Sequence, residues 1–337
     1  MSDTIATPEA PIEVTMHGQP HEGVTTGMPA LPSFMFAATA AEAIGFPKSL
    51  LLYGDTGTRK TTMIAELVTA GISKRAIIID IDNGIETLMV DENIRAEIFD
   101  PNTNPHGRII VMTVDPVMDP YAFHKVDSII CEMTGSRHPV DGAGNPLWTK
   151  FEPNPAATPI DVDLVSLDTL NVFQNVAVKF FQQITLNSAG KPDTLKAWGE
   201  VGVYTDAIVR LFQNTDRFTG AFAMHPMTDT ENTGKVTIKP KLQGGTKDSV
   251  ATIPSLVAYL DFQSLGAAGQ GTTLTATLGE SAVYTAKNRY RFPSQMQDFN
   301  LVRLYQQIAE KIGKPLPNHN PQPITQAPNP QSVFAAA

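Results

Sequence analysis

Apolar runs ending in a polar or acidic residue recur along this chain, with helical periodicity between them. The runs at 48–53, 76–80, 109–114, 163–168 and 218–224 read as core strands. Continuous apolar runs of this length suit strands buried on both faces, as in a parallel sheet. Helical patterns fall at 61–70, stopped by Gly71, at 121–133, and near 170–187 and 195–214. Strands alternating with helices predict an α/β fold: a mostly parallel central sheet with helices on both faces.

The pattern changes in the last third. Strands are expected at 235–239 and 256–262. The runs 272–278 and 282–286 read as a C-terminal antiparallel hairpin turning at Gly279-Glu280. A final helix is expected from 295 to 312, with Leu301, Leu304, Tyr305, Ile308 and Ile312 on its buried face. Residues 1–35, rich in Pro, Thr, Gly and Glu, read as a flexible arm, and 36–45 as a short helix ending at Gly45 that packs on the core or on a neighbouring subunit. The core is expected over 36–315, with a Gly/Pro-rich insertion near 134–160, and 316–337 reads as a disordered Pro-rich tail.

Composition narrows the class. The 337 residues carry a net charge of −9, so contact with a polyanion requires a local basic strip. The single cysteine, Cys131, excludes an intramolecular disulfide and a Cys-based zinc site, and fits a buried, inert thiol in a reducing compartment. No positively charged leader and no apolar run of membrane-spanning length is seen, so no membrane is expected and a cytoplasmic location is.

The organising stretch is Gly54-Asp55-Thr56-Gly57-Thr58-Arg59-Lys60-Thr61-Thr62, between the first strand and the first helix. Strand, GxxxxGK[ST]-like loop and helix form a phosphate-binding P-loop layout. Backbone amides of the loop and the helix start converge on an anion. Lys60 is expected at the β- and γ-phosphates of ATP, and Thr61 at Mg²⁺. Arg59 stands where the motif has Gly; its side chain either narrows the loop or adds a cation there.

Strand ends beside such a loop supply the remaining chemistry. Asp168 ends DLVSLD and reads as a Mg²⁺ ligand, as a helix N-cap, or as both. Asp82, in IIIDIDNG, is placed to orient an attacking water or to make a turn, with Asp80 as the alternative. His225 follows FTGAFAM and reads as a γ-phosphate sensor or as a locally bonded His before Pro226. Lys287 and Arg289 point the same way on an extended segment; they reach a neighbour's phosphate or solvate an edge strand.

Taken together, GDTGTRKT, IIIDIDNG, DLVSLDTL, the Trp198-Gly199-Glu200 helix start, AFAMHP and TAKNR resemble phage RecA-like ATPases of the Sak single-strand-annealing type, short RecA/RadA-core recombinases. The resemblance covers roughly 47 to 293 and implies a RecA-like P-loop NTPase fold. It implies that Gly54, Gly57, Lys60 and Thr61 bind nucleotide, that Asp82 is the catalytic acid, and that Asp168 is the Walker B residue. By the same resemblance His225 is the polar sensor, and Lys287 and Arg289 form a K-x-R finger acting in trans. Asp82 is shorter than the Glu usual there. The loop at about 226–250 is implied to contact single-stranded DNA through Lys235, Lys239, Lys241 and Lys247.

The expectation is an ATPase binding ATP and Mg²⁺ that acts on single-stranded DNA as a homo-oligomer, ring or filament, in phage recombination or annealing. A single-strand-binding protein is a further candidate partner. The alternatives are a ring-helicase-like DNA motor and a nucleotide-gated DNA-binding protein with little turnover.

Overall fold

The structure, a computed structural model, describes residues 45–158, 160–230, 234–243, 246–264, 271–279 and 281–317, leaving aside the side chains of 247 and 248. The expected arm at 1–35, the helix at 36–45 apart from Gly45, and nearly all of the tail lie outside these residues.

In chain order the first half holds β1 (Ser49–Gly54), α1 (Lys60–Thr69), β2 (Ala76–Asp80), α2 (Ile85–Val90), α3 (Glu92–Glu97), β3 (Ile109–Thr113) and α4 (Ala122–Thr134). Next come β4 (Ser136–Arg137), β5 (Glu152–Pro153), β6 (Leu164–Asp168), α5 (Leu170–Ile184), α6 (Thr194–Asn214) and β7 (Thr219–Met224). The last third holds β8 (Pro226–Thr230), β9 (Val236–Pro240), α7 (Thr246–Ser249), β10 (Leu256–Ser264), β11 (Thr272–Thr277), β12 (Lys287–Asn288), β13 (Gln295–Gln297) and α8 (Leu301–Ile312).

The main sheet runs β13-β11-β10-β1-β7-β6-β2-β3, with β12 also on β10. From β10 to β3 every pairing is parallel. Strand alternation feeds two cores. Leu51, Tyr53, Ile77 and Ile79 pack on one face with Phe123 of α4, Phe173 of α5 and Tyr204 of α6. Leu50, Leu52, Ala76 and Ile78 pack on the other with Met63 and Leu67 of α1 and Leu304 and Ile308 of α8. Both faces of the central strands are therefore dry, which is why they carry no polar alternation. Each buried Leu or Ile contributes about 1.5–3 kcal/mol, so these strands form a rigid frame for the loops at their ends.

The antiparallel edge differs from expectation. β11 pairs with β10, not with 282–286. The segment 282–286 forms no strand; Tyr284 makes only an isolated bridge to Ile238. The last helix starts at Leu301, because Gln295–Gln297 pairs with β11 and the Asn300 side chain accepts from the amides of Val302 and Arg303. The insertion near 134–160 holds a two-stranded ribbon, β4–β5, and sends Trp148 and Phe151 against the first core.

Candidate functional site

β7 lies between β1 and β6, so the C-terminal ends of all three meet at one rim. There Tyr53 is level with Met224, and Ala223 with Asp168. A cleft of about 620 Å³ opens at this rim, lined by Thr56, Gly57 and Arg59–Thr62 of the loop, Asp82–Gly84, Asp168, Thr169 and His225.

The glycine loop is set by local constraints. A side chain at Gly54 would lie 2.3 Å from the Leu260 carbonyl oxygen, so β1 and β10 admit only Gly there. Gly57, with φ of 87°, is in the left-handed region. Thr58 donates to the Asp55 carbonyl through its amide at 3.3 Å and its hydroxyl at 2.8 Å, closing the turn. The Lys60 ammonium sits inside it, donating to the carbonyls of Gly54 at 2.8 Å and Asp55 at 2.9 Å and to Thr58 Oγ1 at 3.2 Å. Burial lowers the Lys60 pKa, and the charges of Asp168, Asp55 and Asp82 work against that shift.

Arg59 is left-handed as well, with φ of 61°, a conformation that explains why Gly is usual in this position. Its guanidinium turns back along α1 to Glu66 at 2.7 Å, and Glu66 accepts from the Asn300 amide at 2.6 Å. The side chain is thus tied to α1 rather than drawn across the loop.

Thr61 and Asp168 converge: the Thr61 hydroxyl donates to Asp168 Oδ2. Burial raises the Asp168 pKa to about 6; the Thr61 bond and Lys60 oppose that rise, while Asp80 and Asp82 add to it. The residue next to this pair is Gly84, where a Cβ would lie 3.4 Å from Asp168 Oδ2 and 3.5 Å from Thr61 Oγ1. A hydroxyl and a buried carboxylate beside a glycine, with no side chain between them and the cleft, make a hard oxygen donor set, and it fits Mg²⁺. Asp168 does not cap the following helix: the N-cap of α5 is Thr169, with no side-chain capping bond.

The two acids after β2 separate cleanly. Asp80 is committed to the turn, accepting from the amides of Asp82 at 3.2 Å, Gly84 at 2.8 Å and Ile85 at 3.0 Å. Asp82 is exposed and its Oδ2 meets His225 Nε2 at 2.8 Å. The His225 ring therefore bonds a cleft carboxylate 143 positions away rather than a near neighbour in the chain. Two residues escaped the sequence reading. Asn171 Oδ1 holds the His225 amide at 3.1 Å, and Thr169 Oγ1 is buried at the cleft with no hydrogen-bond partner. Neither has a motif; their only signal is proximity to Asp168.

Lys287 and Arg289 do not reach this cleft in their own chain. Lys287 pairs with Val257, whereas Gly54 of the loop is level with Leu260, so the pair sits toward the other end of the sheet. The Lys287 ammonium donates to the Thr252 carbonyl, and burial, then the charge of Arg289, lowers its pKa to about 8. Arg289 is exposed.

The segment after His225 is a hairpin, β8–β9, rather than a loop. Its middle is tied to the core by the Tyr53 hydroxyl, which lies 2.8 Å from Thr285 O and 3.1 Å from Ile238 O, and its base by the Lys241 amide, which donates to the His225 carbonyl at 2.8 Å. Lys235 and Lys241 are exposed. Lys239 is not a free cation, since it pairs with Asp229 at 3.2 Å. Lys247 lies in α7, and its side chain is outside the described residues. No helix among the described residues is long and apolar enough to cross a membrane.

A glycine loop closing on a lysine, a Thr–Asp pair beside it and a mostly parallel sheet between helices define a P-loop NTPase. Residues 47–290 match the family model described as an AAA domain, more than half of the chain, and the chain belongs to that family of nucleotide-binding ATPases. No curated protein matches the chain by sequence. Among solved structures it is similar to one described as a prototypical ATPase from the type III secretion system of pathogenic bacteria, at a TM-score of 0.35 and 10% identity over 63% of this chain. The chain spans 51% of that structure's length.

Proposed function

We propose that this AAA-domain protein is a RecA-like ATPase that acts on single-stranded DNA in phage recombination or annealing, with ATP held between subunits. The carrying observation is the 2.8 Å contact of His225 with Asp82 at the cleft, one residue before the hairpin that presents Lys235 and Lys241. Whatever moves His225 at the cleft moves the base of a basic hairpin, which is the coupling a DNA-dependent ATPase requires.

Each residue then has a task. The amides of 54–62 bind the phosphates, and Lys60 transfers its ammonium from loop carbonyls to the β- and γ-phosphates. Thr61 and Asp168 hold Mg²⁺, which when bound neutralises charge on the phosphates. Asp82 orients the attacking water and accepts its proton, and His225 positions that carboxylate. Lys287 and Arg289 serve a neighbouring subunit's cleft. Lys235 and Lys241 contact DNA phosphates, so affinity falls as salt rises. The Arg59–Glu66 ion pair supports turnover over the gated-binding reading, because it keeps the bulky side chain out of the loop. ATP turnover with and without single-stranded DNA tests the proposal. Stimulation by DNA, lost in Lys235→Ala/Lys241→Ala, is expected. Turnover indifferent to DNA at every salt concentration would overturn it.

A further inference from the structure

The insertion between α4 and β6 closes over a second polar cluster, none of whose members lines the nucleotide cleft. Asp127 and Cys131 lie one helical turn apart on α4, so they share a face. His138 follows β4 and turns its ring onto that face: Nε2 lies 2.9 and 3.0 Å from the two Asp127 oxygens and 3.8 Å from Cys131 Sγ. The three side chains come within 4.8 Å of one another. We propose that Asp127, Cys131 and His138 form a binding site for a divalent ion of the Zn²⁺ type, fastening the insertion to α4.

Three observations point the same way. The first is spacing. Tetrahedral Zn²⁺ with bonds of about 2.0 Å to N and O and about 2.3 Å to S puts its ligand atoms roughly 3.3–3.6 Å apart. The His138–Asp127 and His138–Cys131 distances depart from that by a few tenths of an ångström.

The second is outer support. His138 Nδ1 donates to the Lys150 carbonyl at 2.8 Å, which fixes the ring and leaves Nε2 as the ligand atom. The Tyr204 hydroxyl, fully buried, donates to Asp127 Oδ1 at 2.6 Å. Metal-binding histidines and carboxylates are held by partners of this kind.

The third is donor type: a lone thiol makes no Cys-based site, but here it joins an imidazole nitrogen and a carboxylate. A mixed N, O and S donor set selects a borderline ion over Mg²⁺, which separates this site from the oxygen corner at Asp168. Three protein ligands leave the fourth position to water.

Cobalt(II) added to the full-length protein reads the site directly. One equivalent is expected to give a thiolate-to-cobalt charge-transfer band and tetrahedral d–d bands, and to be displaced by Zn²⁺. Cys131→Ser should abolish the charge-transfer band and His138→Gln should weaken affinity about 10–100-fold, while both variants still bind nucleotide. Absence of a charge-transfer band in the native protein, or its survival in Cys131→Ser, would overturn the proposal and leave a His–Asp pair. Cys131→Ser changes a single atom of a partly exposed residue, so the test stands even where His138→Gln fails to fold.

Discussion

One sheet carries two unlike halves. From β10 to β3 the strands are parallel, and where they are central they are fully buried; from β11 to β13 they are antiparallel and rich in Thr and Gln. The parallel half gathers Lys60, Thr61, Asp82, Asp168 and His225 at one rim. The antiparallel edge holds Lys287 and Arg289 away from that rim. Burial on both faces makes the parallel half a precise frame for side chains acting within one chain. The antiparallel edge leaves Arg289 exposed, the side chain that the proposed finger would offer to another subunit.

The largest expected contrast comes from one substitution on each side. Lys60→Ala should abolish nucleotide binding measured by calorimetry. Arg289→Ala should leave binding intact and remove turnover, since the guanidinium is exposed and away from its own cleft. Loss of binding in Arg289→Ala would dissolve the distinction between the halves. Next is Asp82→Asn, which should retain binding and lower kcat by about 10²–10⁴-fold, the usual worth of a positioned base. Mixing it with Arg289→Ala should restore part of the activity at interfaces where intact groups meet; no recovery in confirmed oligomers would place both groups in one chain's work.

A smaller effect is expected from pH. Asp168 titrates near 6 in the folded chain against an ordinary 3.8. A raised carboxyl pKa means that the folded state holds the proton more tightly. The contribution to stability is therefore full below about pH 4 and lost as pH rises through about 6. Mg²⁺ needs the ionised carboxylate, so the rise in Tm that it gives with nucleotide should be larger at about pH 7.5 than at about pH 5. Equal rises at both would detach Asp168 from the metal. The smallest effect is assigned to Arg59→Gly. Relief of a left-handed side chain and loss of a half-exposed ion pair oppose each other, so stability should change by no more than about 1 kcal/mol. A larger loss in denaturant melts would show that the Arg59–Glu66–Asn300 chain anchors the loop.

Legibility in the sequence follows the same division. Strands buried on both faces write themselves as apolar runs, so β1, β2, β3, β6 and β7 could be read to within a residue or so, and the loop and Asp168 with them. At the edge, pairing depends on residues far along the chain. Gln295–Gln297 has no apolar pattern and became a strand because β11 offered it hydrogen-bonding groups, which displaced the expected helix start to Leu301. Nor does sequence order show that β7 slips between β1 and β6, and that insertion alone brings His225 to Asp82 across 143 positions. The helices α2 and α3 went unread, being too short to show a period.

The most direct measurement of the nucleotide site is a crystal structure with a non-hydrolysable ATP analogue and Mg²⁺. The expected result is a triphosphate wrapped by the amides of 54–62, with Lys60 on its terminal oxygens and the metal between Thr61 and Asp168. Phosphates bound elsewhere, or a metal seated away from Asp168, would contradict it.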